Sequence, residues 1–166
     1  EDMSCRDVLE VLGWLLFTTM STQTRLRGGV SYGEFYAEPE NEIYVGSSII
    51  EAHELEQAQE WSGVALAKSA ANRIPERTST GVRFQWWVCD YQVPLKSGKG
   101  NTCSNLAIDW TQGIHPNFDI KWANSHPEPT EAEKIDNKFG YDKWKNTLRF
   151  HQEVCLTCFP SNRGKD

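Results

Sequence analysis

The sequence predicts an α+β domain, a mixed sheet with helices packed mainly on one face and a helical C-terminal extension. Residues 4–19 carry apolar side chains at helical spacing, whereas residues 82–93 alternate apolar and polar side chains with the period of two that a strand requires. Between them, a glycine-rich segment of strand composition at 26–36 leads through a turn into a helical pattern beginning at Gly46.

Size and composition narrow the classes of function. At 166 residues the chain has the size of one domain with a substantial core. Its formal net charge of −6 argues against polymeric DNA or RNA as a partner, although a mononucleotide needs only a local positive site. The most apolar run, 8–17, is too short to cross a bilayer, so no membrane partner is expected. Five scattered cysteines favour a reducing cytoplasm over a disulfide framework.

The first predicted helix, 4–19, has Ser4 as its N-cap residue. The apolar side chains that recur at helical spacing are expected to face the core: Val8, Leu12, Leu15 and Leu16. The many tryptophans are expected mainly in the core, Trp14 and Trp61 among them.

The central stretch is predicted to contain two strands and a helix. Residues 26–36 and 43–45 have strand composition and flank a Pro/Asn/Glu turn. A serine after Gly46 can cap the helix, and Gly63 is a plausible residue just beyond its end. The predicted apolar face of this helix is Ile49, Ala52, Leu55 and Ala58.

The remaining chain is predicted more coarsely. Short strands are expected at 64–66 and 106–110, and 68–77 is ambiguous between a short helix and a loop. Residues 111–166 form a loop and helical extension, with helices starting near Thr130 and spanning 141–157. The apolar side of the last helix would carry Trp144, Leu148, His151, Cys155 and Cys158.

The order of these segments resembles the class III nucleotidyl cyclase domain. In that family a strand R-x-G-I-x-x-G precedes a hairpin, and a glycine then opens a helix of the form G-x-x-V-N-x-A-x-R-L-E. This chain has RGGVSYG at 27–33 and GSSIIEAHELE at 46–56, in register without a gap. The variant RGG(V/I)SxG followed by VGxxIIEAxELEQAQ looks most like the bacterial pyrimidine cyclases of Pycsar antiphage systems. The close match covers about 26–63.

The resemblance implies a ferredoxin-like fold and a reaction. The expected activity converts UTP, or CTP, into 3′,5′-cyclic UMP or cyclic CMP plus pyrophosphate, as a second messenger in antiphage defence. Two divalent ions, Mn²⁺ or Mg²⁺, would act in a symmetric homodimer with active sites at the interface. The two metal-binding Asp of the family precede the helix at 4–19. Residues 1–110 would then be the C-terminal part of the catalytic domain, with the metal ligands in a segment before this chain.

The chain departs from the family at two positions. The helix Asn and Arg that orient the ribose and stabilise the transition state fall on Ile50 and Glu54. An isoleucine donates no hydrogen bond, and a carboxylate repels phosphates. A substitute cation is therefore expected, with Arg27 as the candidate and Arg25 and Lys96 as the nearest alternatives.

Substrate-binding candidates are Gly28, Gly29 and His53. The glycines let backbone or ligand approach closely, and the charge of a histidine changes near neutral pH. For Arg27 and His53 the alternative interpretation is an ordinary surface residue.

Two other classes of protein remain open. Loss of both family helix residues favours a non-catalytic relative that binds a nucleotide or a protein. The Cys155-Leu-Thr-Cys158 pair suggests a zinc-stabilised module, with His151, Cys89 or Cys103 as further ligands, although buried cysteines on a helix are the commoner explanation.

Overall fold

The computed structural model describes residues 4–22, 24–75, 87–98, 102–113 and 138–158, apart from the side chains at 113, 138–140 and 155–158. The predicted α+β class with a mixed sheet is confirmed. The predicted helix near Thr130 and residues 82–86 of the predicted strand lie outside the described residues. The elements, in order, are α1 (Cys5–Ser21), β1 (Arg27–Val30), β2 (Tyr36–Glu38), β3 (Ile43–Val45), α2 (Ser47–Ala58), β4 (Gly63–Ala67), α3 (Lys68–Ala71), β5 (Val88–Asp90), β6 (Cys103–Ile108) and α4 (Lys138–Cys158).

The main sheet has four strands in the order β1-β4-β6-β5. β1 and β4 run parallel, with Gly28 opposite Val64, and the β4–β6 and β6–β5 pairs are antiparallel. Every residue of β4 is buried. Because successive strand residues point to opposite faces, both faces of the sheet are covered along β4.

Helix α1 begins as predicted but buries a different face. The Ser4 side chain accepts a hydrogen bond from the Asp7 backbone N–H, and the Asp7 carboxylate accepts from the Ser4 backbone N–H, a capping box. Val8 and Leu15, predicted to face the core, are exposed. The buried residues are Leu9, Gly13, Leu16 and Met20.

A contact with Trp87, and not the apolar pattern alone, determines which face of α1 is buried. The helix is apolar on more than one side, so periodicity alone does not choose between faces. A β-carbon on Gly13 would collide with the Trp87 ring, so the glycine lets this ring lie directly against the helix. Trp14, also predicted in the core, is about half exposed and packs against Trp87.

Strands β2 and β3 form a separate two-stranded hairpin with its apolar side chains exposed. Tyr36 pairs with Val45 and Ala37 with Tyr44. The large side chains of Tyr36, Tyr44 and Val45 are each more than half exposed. An isolated two-stranded hairpin is marginally stable in water, so these side chains remain available for contact with another surface.

Both ends of α2 differ from the prediction. Gly46, not a serine, occupies the N-cap position, while the Ser48 hydroxyl donates to the Glu34 carbonyl at 3.0 Å. The helix ends at Ala58, and Gly63 begins β4 instead of terminating the helix. The Trp61 ring lies where a β-carbon on Gly63 would be, which explains a glycine at the strand start.

The C-terminal helix belongs to the common core. Phe150 packs against the rings of Trp61, Tyr91 and Trp110. The Thr147 hydroxyl accepts a 2.8 Å hydrogen bond from the Ser62 backbone N–H.

The predicted burial of Trp144 and His151 on this helix is confirmed, and Trp61 is buried as expected. Leu148 is partly buried against the core. The last predicted strand is shifted, because β6 ends at Ile108 and Trp110 begins a short 3₁₀ turn. None of the helices in the described ranges combines the length and apolar character that a bilayer crossing requires.

Candidate functional site

A cleft of about 630 Å³ opens between α1, the end of β1 and the first turns of α2. Such a volume lies within the range of small-molecule sites, roughly 300–1,000 Å³. Its walls carry mainly apolar side chains: Val8, Leu12, Val30, Tyr32, Phe35 and Ile49. A ring or another apolar group therefore matches the walls better than a charged group does.

Gly29 lines this cleft and allows α2 to approach β1 closely. A β-carbon at Gly29 would collide with the Ala52 carbonyl oxygen. Gly46 has a similar function, because a β-carbon there would collide with the Glu34 carbonyl. The prediction that glycine permits a close approach here is confirmed, and the approaching groups are backbone carbonyls.

Gly28, the other glycine predicted to bind substrate, faces the sheet and the chain after α2. A β-carbon there would lie 3.2 Å from Val64 Cγ2. Its carbonyl accepts a 2.8 Å hydrogen bond from Gln59 Nε2. Gly28 does not line the 630 Å³ cleft, whereas Gly29 does.

Arg27, the predicted substitute cation, is bound to the last turn of α2. Its Nε donates to Glu56 Oε1 at 2.5 Å, and Nη1 donates to the Gln59 carbonyl at 3.1 Å. The Arg27 and Glu56 side chains are each 22% exposed. A phosphate at Arg27 would have to share the guanidinium with Glu56 or displace it.

The two alternative cations also have internal partners. Lys96 Nζ donates to the Gln57 carbonyl at 2.7 Å, which satisfies a carbonyl at the C-terminal end of α2. The Arg25 guanidinium lies 4.9 Å from the ring centroid of Trp144, a cation–π contact with α4.

His53 lies on the exposed side of α2 between two clefts. It lines the 630 Å³ cleft and also a second, more polar one of about 530 Å³. The second cleft is bounded by Glu54, Gln57 and Lys96 among others. Ile50 is 61% exposed and Glu54 is exposed, so both positions of the missing family residues face solvent.

Four residues that were not associated from the sequence form a network around Tyr32, which lines the cleft. The Tyr32 backbone N–H donates to Ser69 Oγ at 3.0 Å, and Ser69 Oγ donates to Glu51 Oε2 at 2.5 Å. The Arg73 guanidinium carbon lies 4.1 Å from the centroid of the Tyr32 ring. Tyr32 and Arg73 are far apart in sequence, so no local pattern predicts their contact. The Gly/Tyr composition around Tyr32 was the only sequence feature that pointed to this region.

Metal ligands are not assembled in the described ranges. There, no three His, Cys, Asp or Glu side chains lie together as a metal-binding group. Among the cysteines, Cys103 is buried and Cys89 is half-buried, while the Cys155 and Cys158 side chains lie outside the described part. The zinc interpretation therefore stays a prediction.

No protein-family model, no curated protein and no solved structure matches this chain. The cyclase resemblance therefore depends on the sequence segments 27–33 and 46–56.

Proposed function

We propose that this chain is part of the catalytic domain of a class III nucleotide cyclase with a ferredoxin-like fold. The substrate is UTP, or CTP, and the products are the 3′,5′-cyclic nucleotide and pyrophosphate. The best support is the arrangement of β1, the β2–β3 hairpin, α2 and β4. The two segments that carry the resemblance, 27–33 and 46–56, meet along one cleft of nucleotide-compatible volume.

The reaction needs orientation and charge stabilisation. The ribose 3′-oxygen attacks the α-phosphorus, the bond from that phosphorus to the β-bridging oxygen breaks, pyrophosphate leaves, and the hydroxyl proton passes to solvent. The apolar walls of the cleft offer a surface for the base and ribose. A cationic side chain beside the cleft would offset the charge of the departing pyrophosphate.

Divalent cations, Mn²⁺ or Mg²⁺, are part of the proposal, and no group of three or more His, Cys, Asp or Glu side chains lies together among the described residues to hold one. The Glu51 carboxylate, near the cleft entrance, accepts a hydrogen bond from Ser69. The Asp7 carboxylate is held by Ser4 in the capping box. The role that we propose for the described residues is to bind and orient the nucleotide.

A homodimer is proposed as the active form, because the hairpin and the segment between β1 and β2 expose aromatic side chains. Tyr32, Phe35, Tyr36 and Tyr44 are 52–59% exposed. Their rings alone offer about 400 Å², since an aromatic side chain carries roughly 150–250 Å². Helix α1 also exposes Val11, Trp14 and Leu15, and a standard interface buries ~800 Å² per partner. Light scattering coupled to size-exclusion chromatography gives the mass, and a strict monomer at assay concentration contradicts the dimer.

In the cell, the enzyme would work in the cytoplasm as the source of a cyclic pyrimidine messenger during phage infection. This role follows from the resemblance to Pycsar cyclases. The cysteine content is in keeping with a reducing compartment.

A second candidate function is a non-catalytic domain that binds a nucleotide or a protein. It is favoured by Ile50 and Glu54, which stand in place of the family Asn and Arg and face solvent. It is also favoured by the internal hydrogen bonds of Arg27 and Lys96.

The deciding experiment is a product assay on the intact gene product. Each of ATP, GTP, UTP and CTP is incubated with Mn²⁺, and products are separated by chromatography with mass detection. A cyclic pyrimidine nucleotide supports the cyclase and identifies its base. Folded protein that forms no cyclic product from any of the four nucleotides contradicts the cyclase and favours the binding domain.

A further inference from the structure

Arg73 places a positive charge beside the apolar cleft. It follows α3, its side chain is exposed, and its backbone N–H donates to the Ala70 carbonyl at 2.9 Å. Its guanidinium carbon lies 4.1 Å from the centroid of the Tyr32 ring, and Tyr32 lines the cleft. This geometry is a cation–π contact, which does not use the N–H donors of the guanidinium.

Within the described ranges, the N–H donors of the Arg73 guanidinium make no hydrogen bond to another residue. There, its side chain has no hydrogen bond or ion pair, and its contact is with the Tyr32 ring. The cations nominated from the sequence differ in this respect. Arg27 is paired with Glu56, and Lys96 donates to the carbonyl of Gln57.

Tyr32, whose ring contacts Arg73, is held by a hydrogen bond from its backbone. Tyr32 N–H donates to Ser69 Oγ at 3.0 Å, and that hydroxyl donates to Glu51 Oε2 at 2.5 Å. Hydrogen bonds thereby join α2 and α3 to Tyr32, which follows β1 and lines the cleft. One hydroxyl thus links the Tyr32 backbone to both helices, so the backbone that carries the ring is held beside the cleft.

We propose that Arg73, stacked on Tyr32, binds the phosphates of a nucleoside triphosphate whose base and ribose occupy the apolar cleft. The ligand class is an anion with an attached ring. A guanidinium offers two parallel N–H donors to phosphate oxygens, and the cleft walls match the ring. This inference rests on the proposed cyclase function for the identity of the ligand, and it gives Arg73 the phosphate-binding role that Glu54 cannot perform.

Binding is tested by isothermal titration calorimetry on the intact protein with three probes: UTP, inorganic tripolyphosphate and uridine. The variants are Arg73→Gln, Arg73→Lys and Tyr32→Leu. The matched control is Arg6→Gln, which removes the same charge from an exposed residue of α1 that does not line the cleft. Thermal melts establish that each variant is folded.

The expected result is specific to the probe. Arg73→Gln weakens UTP and tripolyphosphate binding roughly 10- to 100-fold, the loss expected for charge-assisted hydrogen bonds, and leaves uridine binding unchanged. Arg73→Lys retains charge without the fork and loses less. Tyr32→Leu keeps an apolar wall but removes the stacking surface, so it weakens both phosphate-containing probes. Arg6→Gln binds all three like the wild type.

Two results overturn the inference. One is UTP and tripolyphosphate binding that is equal in Arg73→Gln, Arg6→Gln and wild type. The other is a folded wild type that binds neither phosphate-containing probe. Failure of the proposed function looks different, because Arg73-dependent binding without any cyclic product supports the site and contradicts the cyclase. Cyclic product formed equally by wild type and Arg73→Gln contradicts the site and supports the cyclase.

Discussion

The guanidinium of Arg27 is held by the carboxylate of Glu56, with Arg27 Nη2 2.5 Å from Glu56 Oε1. This ion pair joins the first residue of β1 to the last turn of α2. It places the two segments that carry the cyclase resemblance in fixed relation to each other. The arginine that the sequence nominates for phosphate binding is thus the residue that links β1 to α2.

We expect the Arg27–Glu56 pair to stabilise the fold. In a double-mutant cycle with Arg27→Gln and Glu56→Gln, the coupling energy from denaturant unfolding should be about 1–2 kcal/mol, because both partners are largely shielded and hydrogen-bonded. The control is the Arg149–Glu153 pair, whose side chains are 53% and 57% exposed and whose coupling should be below about 0.5 kcal/mol. Equal coupling in the two cycles would contradict this role for Arg27.

Gly29 should tolerate no side chain. Gly29→Ala is expected to lower the free energy of unfolding by about 1–3 kcal/mol, because its β-carbon would push α2 away from β1 at the Ala52 carbonyl. Gly33→Ala is the matched control, since its β-carbon would lie 3.4 Å from Ser48 Cβ, an ordinary contact. Its effect should stay within about 0.5 kcal/mol. Urea denaturation measures both, and a Gly29→Ala protein as stable as Gly33→Ala would refute the close contact.

The fold class and most elements could be predicted from the sequence, but the buried face of α1 could not. Helical periodicity and the Ser4 cap are local signals, and they gave the helix correctly. Val8 and Leu15 are exposed because a second apolar side of the helix packs inward, where Gly13 receives the Trp87 ring. This contact joins distant parts of the chain, so no local pattern contains it.

The candidate site, like α1, could be predicted only in part from the sequence. A glycine at position 29 predicts a close approach, and the approach is found. Which group approaches, and which cation reaches the cleft, depends on long-range packing. Arg73 came from a segment that was ambiguous in sequence, and its proximity to Tyr32 follows from how α3 continues from β4.

Gln59 should be among the residues most sensitive to substitution. It is fully buried, and its Nε2 donates to the Gly28 and Leu55 carbonyls while its Oε1 accepts from Trp61 Nε1. Gln59→Leu leaves these three groups without that partner, so we expect a loss of about 3 kcal/mol in unfolding free energy.

The control for Gln59 is Gln57→Ala on the same helix. The Gln57 side chain is exposed and donates to Glu56 Oε2, and its removal should cost less than about 0.5 kcal/mol. Guanidinium denaturation followed by tryptophan fluorescence gives both values. Similar midpoints for the two variants would show that the buried amide is dispensable.

Thiol reactivity should distinguish Cys103 from Cys5. Burial raises the pKa of the Cys103 thiol above its usual 9.0, and nearby Lys68 offsets this only in part. Cys103 should therefore react with iodoacetamide at pH 8 roughly tenfold or more slowly than the exposed Cys5, as followed by peptide mass spectrometry. Because the folded pKa is raised, the associated stability is present below pH 9.0 and declines as pH rises through the folded value. Equal labelling rates in the native protein would contradict the burial.

The capping box of α1 should make the start of this helix sensitive to acid. The Ser4 side chain and backbone N–H, which donate to the Asp7 carboxylate, lower the pKa of Asp7 below 3.8. A lowered folded pKa means that the stabilisation is present above pH 3.8 and is lost as pH falls through the folded value.

Ser4→Ala removes the hydroxyl contribution, so the Asp7 pKa should rise toward 3.8 in a carboxyl NMR titration. The α1 amides nearest Ser4 should then exchange faster at pH 5 than in the wild type, because the hydroxyl that accepts from the Asp7 N–H is gone. An unchanged Asp7 titration in Ser4→Ala would show that the backbone N–H alone holds the carboxylate.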